Sequence, residues 1–297
     1  MNDAVAPYIF EHAPIRIQAV RLTSAWQALH HAHNLPESIT HTLGRCAAAT
    51  ALLATTIKFD GRISVQLQSK GPLQLLLCQA THKLGLRGMA QLAPNQTLPT
   101  TASENGIEGL ADNGHIAVTI ENMKDDKRYQ GITPVVGDSL ASSFEHYFAQ
   151  SEQLPTRFWL AADNHTAAGF MLQRMPGQIG EMGDDDAWVR AQQLADTLTS
   201  EELLALTQED LVHRLYHEED LRQLDPRPVH FHCNCSQKRV GAMLTSLGEP
   251  EIASIIEEHG QVEVTCEFCG RSYRFDDVDI AALFTEAQTA KGSKLLQ

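Results

Sequence analysis

In Gly61-Arg62-Ile63-Ser64-Val65-Gln66-Leu67-Gln68-Ser69-Lys70-Gly71-Pro72-Leu73-Gln74-Leu75-Leu76-Leu77-Cys78-Gln79-Ala80, the apolar residues Ile63, Val65 and Leu67 alternate with Ser64, Gln66 and Gln68. A period of two places each set on its own face of a strand. Gly71-Pro72 supplies the turn and 73–80 the returning run, so the stretch predicts a β-hairpin. Upstream the spacing is helical over 22–33 and, after the Leu35-Pro36 break, over 37–57, so two helices are expected to open the chain. Downstream, strands are expected over 85–92, 115–123 and 128–136, then a helix over 139–150 and strands over 156–161 and 169–175. The sum is an α+β domain with a mainly antiparallel sheet, ending near Met175-Pro176-Gly177.

Beyond that point the composition shifts. Asp184, Asp185 and Asp186 precede a helical pattern over 187–198. Thr199-Ser200-Glu201-Glu202 reads as a capping box ahead of Leu203, Leu204 and Leu206, and Thr207 to Asp210 reads as a second box ahead of Leu211, Val212 and Leu215. Helices this short fall below the ~12 to 15 residues needed for marginal stability alone, so they must dock on something to stay folded. Asp225-Pro226-Arg227-Pro228 then closes the segment. The expected organisation is an N-terminal α+β domain over 1–178, an acidic helical linker over 179–228 and a small C-terminal module over 229–297.

Composition bounds the function. Hydrophobic residues at 43% and charged residues at 20% fit a soluble globular chain of 297 residues, long enough for more than one unit. The net charge of −14 argues against a nucleic-acid binder or a membrane-surface protein, both of which need basic patches. No basic stretch followed by an apolar run opens the sequence, and no window is a long uninterrupted apolar run; the chain is expected to be cytoplasmic.

Six cysteines in a reducing compartment are not expected to be structural disulfides. Cys46 and Cys78 sit in apolar surroundings and read as packing residues. Cys233 and Cys235 form a Cys-x-Cys pair, and Cys266 and Cys269 form a Cys-x-x-Cys pair followed by Gly270. Two short-spaced pairs suit a tetrahedral zinc site with thiolate ligands at ~2.3 Å. Residues 262–265 alternate as a strand, Gly270 supplies the positive φ of a knuckle, and 273–275 return as a second strand. One reading is a permanent zinc that only staples a module of about 65 residues, too small to rely on its core. The Cys-x-Cys spacing favours another. Its strained disulfide would be a good oxidant, and zinc-held thiolates react with peroxide or hypochlorous acid, so one ligand set is both staple and sensor.

At these residues the sequence resembles the bacterial redox-regulated heat shock protein 33 (Hsp33) family, also called the 33 kDa chaperonins. The resemblance covers nearly the whole chain. It rests on Phe59-Asp60-Gly61 with Val65-Gln66-Leu67-Gln68, on Arg128-Tyr129-Gln130-Gly131, and on Tyr147-Phe148 through Ser151-Glu152-Gln153-Leu154-Pro155-Thr156. Arg214-Leu215-Tyr216-His217-Glu218-Glu219 and the cysteine quartet complete it. The resemblance implies an ATP-independent holdase that is inactive when reduced and bound to one zinc per chain. Oxidation, it implies, forms the disulfides Cys233–Cys235 and Cys266–Cys269, expels zinc, unfolds the linker, and yields an active, dimeric form that binds unfolding proteins.

Other readings carry less. His30, His31 and His33 cluster at a polar helix end, and His230 and His232 flank a quartet that already completes a zinc shell. His217-Glu218 has Leu221 where a zinc protease needs its second histidine, and Gly137-Asp138-Ser139-Leu140 ends in Ala141 rather than glycine. No phosphate-binding glycine loop is present, so the chain reads as a non-enzyme. A zinc-ribbon nucleic-acid module would use the same cysteines, yet Glu249, Glu251, Glu257, Glu258 and Glu263 head an acidic excess over Lys238, Arg239, Arg271 and Arg274. A dithiol oxidoreductase would need Cys266 and Cys269 at a helix N-terminus, where a knuckle is expected instead.

Overall fold

The computed structural model describes residues 3–94, 96, 98, 106–107, 109–124, 126–176 and 186–294, with the backbone alone from 286 onward. The chain packs as two units, Met1–His232 and Cys233–Gln297. The expected end of the first domain, at 178, and the acidic run before Asp186 lie outside the described residues.

Two strands, β1 (Ala4–Phe10) and β2 (Ile15–Leu22), open the chain ahead of the two expected helices. The first helix, α1, is only Ser24–His30, and α2 follows at Glu37–Thr56. The reason the period of two is hard to see in β2 is that both of its faces are covered. Val20 and Leu22 lie in the core around α2, whereas Ile15, Ile17 and Ala19 lie in a second core on the opposite side. Strands buried on both faces lose the apolar–polar alternation that marks a half-exposed strand.

The quoted hairpin forms as β3 (Gly61–Gln68) and β4 (Leu73–Thr81), and β5 (Gly85–Leu92), β6 (His115–Asn122) and β7 (Lys127–Pro134) follow. Helix α3 (Leu140–Tyr147) runs into one π-helical turn, Phe148–Glu152, before β8 (Thr156–Ala162) and β9 (Ala167–Arg174). Two sheets result. The first has the order β10-β1-β2-β9-β8, with β11 also pairing β1; the second has the order β12-β5-β4-β3-β6-β7. The late strands β10 (Leu221–Gln223), β11 (Arg227–Pro228) and β12 (His230–Phe231) return the chain to these sheets. All pairings are antiparallel except β12 with β5.

Helix α2 lies in the core against which both sheets pack, and from Leu43 to Ala54 every residue is buried. At Gly44 an added Cβ would stand 2.6 Å from the Cβ of Ala162, so this close approach of α2 to β8 excludes any larger residue. The two sheets differ on their far sides. The second turns Ser64, Gln66, Gln79, Arg87, Thr119 and Gln130 outward, joined by hydrogen bonds such as Gln79 to Ser64 at 2.9 Å and Gln130 to Thr119 at 2.9 Å. The first presents Tyr8, Phe10, Ile17, Phe170 and Leu172 on its far side.

That apolar face is covered by α4 (Ala187–Ala195), α5 (Ser200–Ala205) and α6 (Gln208–Tyr216). The Thr199 capping box forms with both of its bonds. At Thr207 the side chain accepts from the Asp210 amide, but Asp210 answers through the Thr207 hydroxyl instead of the cap amide. The second unit holds α7 (Gln237–Leu247), α8 (Glu249–His259), the hairpin β13 (Val262–Thr265) and β14 (Ser272–Phe275), and α9 (Asp277–Lys294). Its buried apolar core is Leu244, Ile252, Val262, Tyr273, Phe275, Ile280 and Phe284.

Candidate functional site

Within the second unit, β13 and β14 pair in register from Val262 opposite Phe275 to Thr265 opposite Ser272. The strands splay into a knuckle at Cys266. The Cys266 amide donates to the Arg271 carbonyl at 2.9 Å, and the Gly270 amide donates to the Cys266 carbonyl at 2.8 Å. Gly270 has φ +67°, the left-handed conformation that glycine adopts without steric cost. The other two cysteines lie just before α7, whose N-cap Ser236 accepts from the Arg239 amide, while Arg239 donates to the Asn234 carbonyl at 2.9 Å.

These two turns bring four sulfurs together. The Sγ atoms of Cys233, Cys235, Cys266 and Cys269 all lie within 4.8 Å of one another, with Cys233 to Cys266 at 3.7 Å and Cys235 to Cys269 at 3.3 Å. All four are free thiols. The sulfur–sulfur edge of a tetrahedron with ~2.3 Å metal bonds is about 3.8 Å, so a soft tetrahedral cation such as zinc fits this donor set. His230 and His232 belong to the first unit, where β12 pairs with β5, and are not members of the cluster.

Two residues that the sequence reading gave no part in the site shape the thiols. Tyr273, 7% exposed, donates its hydroxyl to Cys235 Sγ at 3.0 Å. Burial opposes ionisation of Cys235, but hydrogen bonds from Tyr273 and the other three cysteines outweigh it and bring its pKa down to about 7. Burial, reinforced by the neighbouring sulfurs, pushes Cys269 up to about 12, and burial also raises Cys233. Arg271 lies beside the Tyr273 hydroxyl, Cys235 and Cys269, whose negative charge favours its cation. The signal was the inward phase of β14, which turns Tyr273 and Phe275 inward from a strand that begins two residues after Gly270.

The remaining candidates are accounted for by packing. Cys46 and Cys78 are 1% and 0% exposed, and burial, then contact with Cys46, raises Cys78 well into the protonated thiol range. His30 stacks on Trp26 and bonds its carbonyl at 3.0 Å, and His33 bonds the Gly88 carbonyl at 3.1 Å. Cys266 and Cys269 sit on a hairpin knuckle, not at the start of a helix, which removes the feature a dithiol oxidoreductase needs.

In the first unit, α4, α5 and α6 are held over the sheet by aromatic packing and by directional bonds. Tyr216 stands edge-on to Phe10 at 5.5 Å between ring centroids and stacks on Phe170 at 6.3 Å. Its hydroxyl donates to the Ala191 carbonyl at 2.9 Å, tying α6 to α4. Arg21 donates to the Leu204 carbonyl at 3.1 Å, Gln208 to the Ala4 carbonyl at 2.9 Å, and Arg157 pairs with Asp196 at 3.1 Å.

A profile of the family described as Hsp33 protein matches residues 3–276. The chain belongs to the Hsp33 family. Curated relatives agree along its length: the 33 kDa chaperonin of Nitrosococcus oceani is 42% identical over 288 residues, 96% of this chain and 95% of the relative. That of Methylobacillus flagellatus is 40% identical over 286 residues, 96% and 95% respectively. The crystal structure of the 33 kDa chaperonin of Thermotoga maritima shares the fold, with TM-score 0.77, 21% identity, and coverage of 96% of this chain and 99% of that one. The Hsp33 family is one of chaperones, not enzymes, and this member carries the C-terminal four-cysteine cluster. Among the described residues, no helix is long and apolar enough to cross a membrane.

Proposed function

We propose that this chain is a redox-regulated, ATP-independent holdase of the cytoplasm, with one zinc held by Cys233, Cys235, Cys266 and Cys269 in the reduced state. The observation that carries the reading is the convergence of four free thiols within 4.8 Å in a small unit with seven buried apolar side chains among the described residues. A bound zinc supplies charge neutralisation that keeps all four sulfurs as thiolates and fastens the two knuckles together.

Oxidation removes those donors. Two equivalents of peroxide, with four protons from solvent, accept four electrons from the four thiolates; Cys233 bonds to Cys235 and Cys266 to Cys269, four waters form, and the disulfide sulfurs no longer hold zinc, which passes to solvent. The second unit then lacks its staple, and α4, α5 and α6 leave the first sheet. The uncovered face of Tyr8, Phe10, Ile17 and Phe170 receives unfolding client proteins, and the oxidised chain pairs with a second copy. Leu203, Leu206 and Leu211, set among acidic residues, offer the client further apolar patches on a soluble, charged segment.

The test is aggregation of a heat-unfolded client without ATP, comparing reduced zinc-loaded protein with peroxide-treated protein. Suppression by the oxidised form alone supports the reading, and equal suppression by both refutes the switch. Polar substitution of Leu203, Leu206 and Leu211 locates the client. If the linker contributes, the fully oxidised variant suppresses aggregation less than the oxidised parent; equal suppression assigns client binding to the first sheet alone.

A further inference from the structure

Helix α6 carries a pair of metal-binding side chains that the four-cysteine cluster does not use. His213 and His217 are four residues apart, which sets them one turn above the other on one face of the helix. Their ring centroids lie 5.8 Å apart, with 58° between the planes. Leu211, Val212, Leu215 and Tyr216 take the buried face, and both histidines are exposed. Among the described residues, neither ring makes a hydrogen bond or an ion pair. Two imidazoles on one metal with ~2.0–2.1 Å bonds have centroids about 4.5–5.2 Å apart for bond angles of about 90–109°. Exposed side chains reach that spacing from 5.8 Å by small rotations. The surroundings suit a cation. His217 is the C-cap of α6, at the negative end of the helix, and Glu209 extends the same stripe one turn earlier without an ion pair of its own. Arg214, the neighbouring cation, is turned away to Glu202 and Thr197. Imidazole pairs match nickel, copper and zinc, and they add little to the binding of magnesium or calcium.

We propose that His213 and His217 chelate one late first-row divalent metal ion, of the class of nickel, copper and zinc, as a second metal site in the first unit. The two rings are held at chelating distance only while α6 is helical, so the bound ion favours the folded helix by mass action. A helix of nine residues is too short to persist alone, so the ion strengthens an element that otherwise depends on docking. Because α6 lies over the first sheet, the ion also holds the cover in place and raises the oxidant exposure needed for activation. That regulatory consequence rests on the proposed holdase mechanism, whereas binding itself does not.

The experiment uses reduced, zinc-loaded full-length protein with nickel as the probe, because nickel does not oxidise thiols, and magnesium as the hard-cation control. Bound nickel, retained zinc and proteolysis within 208–217 are followed against concentration, with no client or oxidant present, so failure of the holdase reading would leave this result standing. Nickel is expected to slow cleavage by about tenfold at about ten times its dissociation constant, with magnesium without comparable effect. The chain has 14 histidines, so the site is read as the nickel binding that the variants lose. In His213→Gln and in His217→Gln the half-saturating nickel concentration is expected to rise by about tenfold or more, because one imidazole cannot chelate. His259→Gln, which removes an exposed histidine of the second unit, is expected to bind as the parent does. Adding Glu209→His to His217→Gln rebuilds the pair one turn earlier and is expected to restore binding, which separates loss of a ligand from loss of the fold. No protection by nickel, equal protection by magnesium, parent-like affinity in either single variant, or no recovery with Glu209→His would each overturn the proposal.

Discussion

The two large sheets share α2 as their common core and differ in what lies on the other side. The outer face of the second sheet is mixed: Ser64, Gln66, Gln79, Thr119 and Gln130, some bonded to one another, stand beside Leu77, Met89 and the exposed Ile132. The first ends in Tyr8, Phe10, Ile17 and Phe170, and three helices of six to nine residues lie over them. A permanent core is normally sealed by long elements. Here the seal consists of helices too short to persist alone, so the same apolar surface is buried or available according to whether they dock. On the proposed function, the helices α4–α6 are the conditional element and α2 the permanent one.

The largest effect is expected from stripping zinc from the reduced protein. Structural zinc contributes an apparent ~10–16 kcal/mol in small zinc peptides, comparable with the gross gain from the seven buried apolar side chains of the second unit's described core, which must also offset the entropy of ordering it. Circular dichroism and proteolysis should show loss of structure over 233–284 with α2 still protected; a resistant second unit after complete chelation would contradict this. Next in size is Tyr216→Ala, which removes the ring between Phe10 and Phe170 and should weaken linker docking by ~3–5 kcal/mol. Cleavage within 187–216 in the reduced state reports it. Tyr216→Phe keeps the ring and loses only the bond to the Ala191 carbonyl, a change of about 1–2 kcal/mol in the same assay. Smallest is Gln66→Ala on the outer face of the second sheet, expected to stay within about 0.5 kcal/mol by denaturant titration. A Gln66 cost equal to that of Tyr216→Ala would erase the distinction between the two faces.

Much of this was legible from residue order, and the failures have a physical cause. The β3–β4 hairpin, β5 and the β13–β14 knuckle were readable because each has one wet face or a glycine turn, which preserves alternation. β1 and β2 were missed because helices cover both sides, and Pro7 within β1 further disguises it. The four cysteines were legible from spacing alone. Tyr273 was not, since its approach to Cys235 depends on how the hairpin meets the start of α7. Nor was the partner of the linker, because contacts such as Arg21 to Leu204 join residues 183 apart in sequence.

The central claim is that loss of the thiolate staple, and not oxidation elsewhere, uncovers the first sheet. Hydrogen exchange tests it most directly, followed on the amides of α4–α6 and of α2 while peroxide is added and released zinc is recorded. The account predicts that linker amides lose protection in step with zinc release and with the onset of aggregation suppression, while α2 stays protected. Full zinc release and full chaperone activity with the linker as protected as before would contradict it.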